Sequence, residues 1–224
     1  ERFDYLADGE VVTLTYVVKT TDASGATDSQ NVVIKITGSN DASSITVNDV
    51  AGDILEGTTL SDSGSISFSD IDLSDTPSAS EALTSISALK SDGSTTITLT
   101  AAQQTAITNA FSIAASNGNT NNGDINWNYD IADSSIDFLG VNETVEAVFT
   151  ISVDDANGSV VTQDVTVTIT GSNDTAILGS ADQTLIETDA PLSTSGVLSI
   201  SDVDATEALY VAQTDTVGDK GTFS

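Results

Sequence analysis

The stretch FTISVDDANGSVVTQDVTVTITGSND, residues 149–174, contains two runs of alternating apolar and polar residues with a turn sequence between them. In the second run Val165, Val167 and Ile169 share one side, and this period of two is typical of a β-strand with one buried face. Asn157-Gly158 lies between the runs and favours a tight turn. The stretch therefore predicts an antiparallel hairpin that ends at Gly-Ser-Asn-Asp.

The same pattern occurs earlier in the chain. Residues 5–41 align with residues 138–174 without a gap at an offset of 133 residues, and 14 of the 37 aligned positions are identical. A second match follows each copy, between residues 54–72 and 185–204, with one residue inserted in the later stretch. We therefore expect a piece of a longer protein that holds the C-terminal part of one repeat (1–41), a complete repeat (42–174) and the N-terminal part of a following repeat (175–224).

Strand patterns dominate the matched blocks. Ile66 and Phe68 predict a further strand, which Leu198 and Ile200 repeat. The apolar positions of the strand that opens each hairpin are Val12, Leu14, Tyr16 and Val18 in the first copy and Val145, Ala147, Phe149 and Ile151 in the second. Several short strands separated by turns predict an all-β antiparallel sandwich.

One segment has a helical pattern. After Thr100, the residues Ile107, Ala110, Phe111 and Ala114 follow helical spacing. Thr100 and Gln103 have the spacing of a capping box, and Gly118 is a candidate stop signal. The sequence therefore predicts a short helix packed on the sandwich. The segment INWNYDI (residues 125–131) follows and predicts a strand that places Trp127, Tyr129 or Ile131 in the core.

The composition narrows the possible ligands. The chain has 5 Lys and Arg against 34 Asp and Glu, for a formal net charge of −29, and it has no Cys and no His. Nucleic acids and anionic membranes require clustered positive charge, so neither is expected as a partner. The absence of Cys and His removes thiolate chemistry, the usual zinc ligands and the usual general base. Carboxylate oxygens remain in quantity, and they suit calcium.

The order INWNYDI, DFLGVNETV (residues 137–145) and TGSND (residues 170–174) is similar to that of VCBS repeats, modules of very large bacterial surface and secreted proteins. Many of those proteins are calcium-dependent adhesins that also carry RTX repeats. The resemblance implies tandem immunoglobulin-like or cadherin-like Greek-key sandwiches, outside the cell, on the bacterial surface or secreted. It also implies an extender function, in which calcium stiffens a stalk that presents a distant adhesive domain. This repeat is longer than the usual form between Leu73 and Asp124.

The residues themselves indicate where a cation would bind. A strand ending in Asn-Asp brings oxygen ligands to a repeat boundary, and Asp70 and Asp72 form an Asp-x-Asp pair at the start of the next repeat. Asp75 is set aside, because Thr206 stands close to where it should recur.

Cadherin-like repeats hold calcium between modules with a linker Asn-Asp, an Asp-x-Asp and an Asp before a glycine turn. The resemblance therefore implies Asn40, Asp41, Asp70, Asp72 and Asp155 at the first junction, and Asn173, Asp174, Asp202 and Asp204 at the second. Glu56 and Glu187 lie where such repeats place a ligand glutamate, and the end of the module that they serve stays open.

Other interpretations of these motifs remain. Asn, Asp and Gly favour turns whether or not a metal binds. A second functional hypothesis is a module that binds polysaccharide or protein through residues 117–129, which requires Trp127 or Tyr129 to lie in solvent. An enzyme is disfavoured: Asp70 and Asp72 could be a carboxylate pair for glycoside hydrolysis, yet no nucleophile or cationic group accompanies them. The expected partners are the neighbouring repeats of the same chain, without insertion into a membrane.

Overall fold

The computed structural model describes residues 2–205 and 207–210, and the backbone alone of residues 216–218 and 221–223. The described strands are β1 (Val11–Thr21), β2 (Thr27–Thr37), β3 (Ser44–Asp49), β4 (Ala51–Leu55), β5 (Ser61–Ser69), β6 (Ser78–Leu89), β7 (Phe111–Ala115), β8 (Asn122–Asp130), β9 (Thr144–Asp154), β10 (Val160–Thr170), β11 (Ile177–Leu178), β12 (Ile200–Ser201), β13 (Thr216–Gly218) and β14 (Gly221–Phe223). The α-helix is α1 (Ala101–Asn109), and Asp133–Ser135 forms a 3-10 turn. The prediction of an all-β fold with one short helix is confirmed.

Two four-stranded sheets form the sandwich, and all of their strands lie between Ser44 and Thr170. One sheet has the order β4-β10-β9-β6, in which β9 pairs antiparallel with β6 and β10, and β4 joins β10 in parallel. The other has the order β3-β5-β8-β7 and is antiparallel throughout. The hairpin predicted around Asn157-Gly158 is the β9–β10 connection.

The core lies between the sheets. Trp127 and Tyr129 are 1% and 0% exposed, and Phe149 stacks on Phe111 with ring centroids 4.1 Å apart. The Trp127 indole Nε1 donates to the Asp49 carbonyl oxygen at 2.7 Å, so its polar atom is satisfied inside the core. The prediction that these aromatic side chains pack in the core is confirmed.

The first hairpin differs from its later copy in burial. The strands β1 and β2 pair only with each other within the described residues, and Tyr16 and Val18 are each 54% exposed. Their equivalents Phe149 and Ile151 are buried, because β4 and β6 flank the β9–β10 pair and the second sheet covers it. The expected buried face of β1 is therefore absent, although the strand and its register are formed.

The helix begins as expected and ends early. Thr100 accepts a hydrogen bond from the Gln103 backbone N–H, and the Gln103 side chain accepts from the Thr100 N–H, which completes the predicted capping box. The helix ends at Asn109, so the predicted stop at Gly118 is wrong. Phe111 and Ala114 belong to β7 instead, because pairing with β8 and stacking on Phe149 outweigh the local helical spacing.

The short β11–β12 pair has the same register as the start of the β3–β5 pair. Ile177 pairs with Ser201 as Ser44 pairs with Ser69, and Leu178 pairs with Ile200. None of the helices among the described residues is long and apolar enough to cross a membrane.

Candidate metal centre at the repeat boundaries

The glycine of TGSND is required by close packing at the repeat boundary. The Gly171 N–H donates to the Glu143 carbonyl oxygen at 2.8 Å, and the Gly38 N–H donates to the Glu10 carbonyl oxygen at 2.8 Å. A Cβ atom on Gly171 would overlap the backbone of Leu139, and one on Gly38 would meet the equivalent carbonyl oxygens in the first repeat. Each glycine therefore lets its strand lie directly on a neighbouring backbone segment, which fixes where the following Asn-Asp begins.

The Asp-x-Asp pairs make the same contacts at both boundaries. The Asp41 N–H donates to Asp72 Oδ2 at 2.8 Å, and the Asp174 N–H donates to Asp204 Oδ2 at 2.9 Å. The Asp72 N–H in turn donates to Asp70 Oδ1 at 3.0 Å, as the Asp204 N–H does to Asp202 Oδ1 at 3.1 Å. These contacts join the end of one repeat to the next.

A backbone hydrogen bond also crosses each boundary. The Leu73 N–H donates to the Tyr5 carbonyl oxygen at 3.2 Å, and the Ala205 N–H donates to the Phe138 carbonyl oxygen at 3.2 Å. Each donor follows an Asp-x-Asp pair, and each acceptor lies in the DYL or DFL sequence of the preceding repeat. The two junctions therefore have the same local architecture, although their flanking repeats are described to different extents.

The first junction cluster consists of Asp70, Asp75 and Asp155. These three side chains are buried, and one carboxylate oxygen of each lies within 4.8 Å of the others. Asn40 joins the cluster, because its Nδ2 donates to Asp155 Oδ2 at 3.1 Å. Asn157 links two of its members, since its Nδ2 donates to Asp75 Oδ2 at 3.0 Å and its N–H to Asp155 Oδ1 at 2.8 Å.

The second junction cluster consists of Glu56, Asp137 and Asp174, which also place carboxylate oxygens within 4.8 Å of one another. Glu56 follows β4, and its Oε2 accepts a hydrogen bond from the Ser172 N–H at 2.7 Å. Asp137 follows the 3-10 turn. The structure thus places Glu56 at the C-terminal end of its module, which the sequence left open.

Burial and mutual repulsion disturb the ionisation of these carboxylates. Burial and, to a smaller extent, the neighbouring charges of Asp174 and Asp137 raise the pKa of Glu56 to about 7, although the hydrogen bond from Ser172 opposes the shift. The pKa of Asp174 is raised by burial and by Asp204, and that of Asp72 by burial and by Asp75. A cation in either junction would relieve this repulsion.

Asp155 differs from these carboxylates. Burial opposes its ionisation, but hydrogen bonds from Ser159, Asn40 and Asn157 outweigh burial and lower its pKa. Asp155 therefore keeps a negative charge in the buried cluster, where it is available to a cation.

Several buried oxygens at the junctions have no hydrogen-bond donor in the part of the chain that the structure describes. They are Asn40 Oδ1, Asp72 Oδ1, Glu56 Oε1 and Asp204 Oδ1. Asp72 is 0% exposed and Glu56 3% exposed, so water reaches neither side chain freely. Unsatisfied buried oxygens are costly, and all four of these belong to residues that the sequence singled out as cation ligands. The donor set fits a hard cation, since every candidate ligand atom is oxygen.

Sequence reasoning missed two members of the clusters. The residue equivalent to Asp75 is Glu207 and not Thr206. The Asp75 N–H donates to the Asp72 carbonyl oxygen at 3.2 Å, and the Glu207 N–H donates to the Asp204 carbonyl oxygen at 3.2 Å. The acidic residue therefore does recur. Asp137 recurs as Asp4, one residue before the aligned blocks begin, so a longer alignment would have found it.

Six predicted ligands are not members of these clusters: Asp41, Asp72, Asn173, Glu187, Asp202 and Asp204. Glu187 is exposed, and within the described residues it approaches no acidic cluster, because the strand that buries its equivalent Glu56 beside β10 has no counterpart there. Asn173 directs its Nδ2 to the Asp174 carbonyl oxygen at 2.6 Å, which shapes the linker. Asp202 supports the second junction indirectly, because its Oδ1 accepts a hydrogen bond from the Asp204 N–H.

The aromatic platform required for ligand binding at residues 117–129 is not formed. Trp127 and Tyr129 are buried, so neither ring can stack on a sugar in solvent. The loop beside them contacts the first junction, because Asn121 Nδ2 donates to the Asp70 carbonyl oxygen at 2.8 Å.

Comparison with known proteins gives only distant likenesses. No family model matches the chain, and no curated protein matches it. Similar solved structures include mouse clustered PcdhgC3 EC1-3, with 12% identity, a TM-score of 0.37 and coverage of 76% of this chain and 45% of that one. The sialic acid binding region of the Streptococcus sanguinis SK1 adhesin has 12% identity, a TM-score of 0.35 and coverage of 69% and 37%. Domains 4 and 5 of the S-layer protein SbsC have 12% identity, a TM-score of 0.32 and coverage of 72% and 59%.

This chain spans less than two thirds of each of those structures. Cadherin domains are also among the structural neighbours.

Proposed function

We propose that this chain is a calcium-stiffened segment of an extracellular, adhesion-type protein of the bacterial surface, built of tandem β-sandwich repeats that divide at Asp41 and Asp174. The observation that carries the proposal is the recurrence of one acidic junction at both boundaries. Its Asp-x-Asp hydrogen bonds repeat within 0.1 Å, and both copies contain buried oxygens without a donor among the described residues.

Calcium is the cation that suits these ligands. Ca²⁺ takes six to eight oxygen ligands in a flexible arrangement, whereas Mg²⁺ requires a compact octahedron and keeps several waters. The clusters offer carboxylates, a side-chain amide oxygen and nearby backbone carbonyls, without nitrogen or sulfur from His or Cys. Such a mixed and crowded oxygen set favours the larger ion.

The location of the clusters suggests a mechanical role. Glu56 and Asp137 belong to the complete repeat, Asp174 ends the linker, and the Asp174 N–H is bonded to Asp204 of the following repeat. A cation held by this set would join the module to the linker and, through it, to the next module. The residues supply negative charge on both sides of the joint, and the cation would neutralise repulsion that otherwise separates them. The free energy of cation binding would then stabilise one arrangement of the joint and make the joint stiffer.

Thermal unfolding of the chelated chain, repeated with calcium and with magnesium, tests the proposal. Extracellular calcium modules bind with dissociation constants of about 10⁻⁴ to 10⁻³ M, so calcium near 10 mM should be close to saturating. Each site occupied at about ten times its Kd adds about 1.4 kcal/mol to the free energy of unfolding. We expect calcium to raise Tm by several degrees and magnesium at the same concentration not to do so. Equal shifts with both ions would refute a calcium site.

A further inference from the structure

The loop between β7 and β8 contacts the start of the Asp-x-Asp pair. Asp70 directly follows β5, and its N–H donates to the Asn121 carbonyl oxygen at 2.6 Å. The Asn121 side-chain Nδ2 donates to the Asp70 carbonyl oxygen at 2.8 Å. One residue of this loop therefore satisfies both backbone polar groups of Asp70.

These two bonds continue the β5–β8 ladder by one step. The last regular pair in the ladder is Ser69 with Asn122, so Asp70 and Asn121 would be the next pair. The loop turns back here, because the Thr120 N–H bonds to the Asn122 carbonyl oxygen at 3.0 Å. The Asn121 side-chain amide takes the place of a backbone donor, and it holds a strand end that would otherwise fray.

The carboxylate of Asp70 is fixed from the other side. Ser43 Oγ donates to Asp70 Oδ2 at 2.6 Å, and the Asp72 N–H donates to Oδ1 at 3.0 Å. Asp70 is 5% exposed and Asn121 9% exposed, so loss of the amide would leave the Asp70 carbonyl oxygen buried without that donor. Small movements of this backbone would carry the carboxylate away from Asp75 and Asp155.

We propose that Asn121 is a positioning residue for cation binding at the first junction cluster, and that a cation bound there orders the loop of residues 116–121 in return. The inference rests on the proposed calcium function. Asn121 is not a cation ligand in this proposal. It holds the backbone of Asp70 in place, and Asp70 is the ligand. Because coupling between two sites is reciprocal, the loop and the cation must stabilise each other by the same factor.

Calcium titration of the full chain by calorimetry tests the proposal in a background that removes charge from the second junction cluster, Glu56→Gln with Asp174→Asn. In that background we compare Asn121→Ala with Asn119→Ala. Asn119 is the matched control, because it lies in the same loop and makes two hydrogen bonds to the Asp124 backbone, at 2.8 and 3.2 Å, without touching Asp70. We expect the calcium Kd to rise about tenfold in Asn121→Ala, the equivalent of one hydrogen bond to a buried group, and less than about twofold in Asn119→Ala.

Equal losses in the two variants would mean that only loop integrity matters, and an unchanged Kd in Asn121→Ala would show that Asp70 needs no support; either result overturns the inference. If the unmodified chain binds no calcium, the proposed function fails first. Hydrogen exchange in the unmodified chain provides a test that does not depend on the variant folding. Calcium should slow amide exchange in residues 116–122 but not around Asp92, and unaltered exchange in both segments would contradict the coupling.

Discussion

Asp174 donates its backbone N–H to the Asp204 carboxylate at 2.9 Å, and Asp41 makes the same contact to Asp72 at 2.8 Å. In each case a carboxylate of one repeat holds the backbone of the linker that precedes it. The second oxygen of each acceptor is buried and has no donor among the described residues. One half of each carboxylate therefore builds the joint, and the other half is available to a cation.

Asp72→Asn separates these two roles. The amide retains an oxygen that can accept a hydrogen bond from the Asp41 N–H. It removes the negative charge of Asp72, a carboxyl group whose pKa is raised by burial and by neighbouring carboxylates. We expect Tm in chelator to stay constant or rise, because repulsion is relieved, while the calcium-dependent shift falls by about half or more. Thermal unfolding of the variant with and without calcium measures both effects.

Asp154→Asn is the control for that variant. Asp154 is the last residue of β9 and directly precedes Asp155, but it is exposed and lies outside the first junction cluster. Like Asp72→Asn, the Asp154→Asn substitution removes one negative charge close to the cluster. A calcium shift reduced equally by both substitutions would indicate general electrostatics instead of a defined site.

The pH dependence of the calcium-free chain depends on Glu56. Its pKa is about 7 in the fold against an ordinary value of 4.5, so between these values the folded state binds more protons than the unfolded state. The stabilisation from that proton is fully present below pH 4.5 and is lost as pH rises through about 7. We expect Tm in chelator to fall between pH 5 and pH 8, and Glu56→Gln to flatten this part of the curve. A wild-type slope retained by the variant would assign the effect to other groups.

Gly171→Ala tests the packing that places the linker. The added Cβ would overlap the Leu139 and Gly140 backbone, which cannot move without disturbing the junction. We expect the free energy of unfolding to fall by about 1–3 kcal/mol with or without calcium. Gly196→Ala, whose Cβ would meet only the end of the Gln183 side chain, should change it by less than about 0.5 kcal/mol. Chemical denaturation of both variants gives the comparison, and equal stabilities would show that the TGSND glycine is not required for close approach.

Trp127 fluorescence tests the core assignment. The indole is 1% exposed and bonded to the Asp49 carbonyl oxygen, so its emission should be blue-shifted and poorly quenched by acrylamide. Polysaccharides should leave both properties unchanged. Red-shifted emission that a glycan protects from quenching would restore the hypothesis of a binding platform.

Much of the complete repeat could be predicted from local pattern. A period of two placed β5, β9 and β10, and the Thr100–Gln103 capping box located the start of α1, because both signals depend on neighbouring residues alone. The end of α1 could not be predicted in the same way. Phe111 has helical spacing, yet its environment is set by Phe149, which lies far away in sequence.

The candidate site was also predictable only where local sequence motifs determine it. Repeated motifs identified Asp70, Asp72 and Asp174, but the side of the module that Glu56 serves depends on β4 joining β10 in parallel, a long-range pairing that no local motif specifies. Asn121 could not be predicted either, because it lies in neither of the two stretches that align between the repeats. The role that we propose for Asn121 rests on its contacts with Asp70, which is distant in sequence.

The most direct test of the central claim is the width of a distance distribution across the first junction. The chain has no Cys, so Thr15→Cys and Thr46→Cys, both exposed and on opposite sides of Asp41, can carry two spin labels for pulsed electron resonance. If calcium stiffens the joint, the distribution will be broad in chelator and narrow in calcium, with magnesium giving the broad form and Asp72→Asn weakening the narrowing. A distribution equally broad in calcium and in chelator would contradict the account.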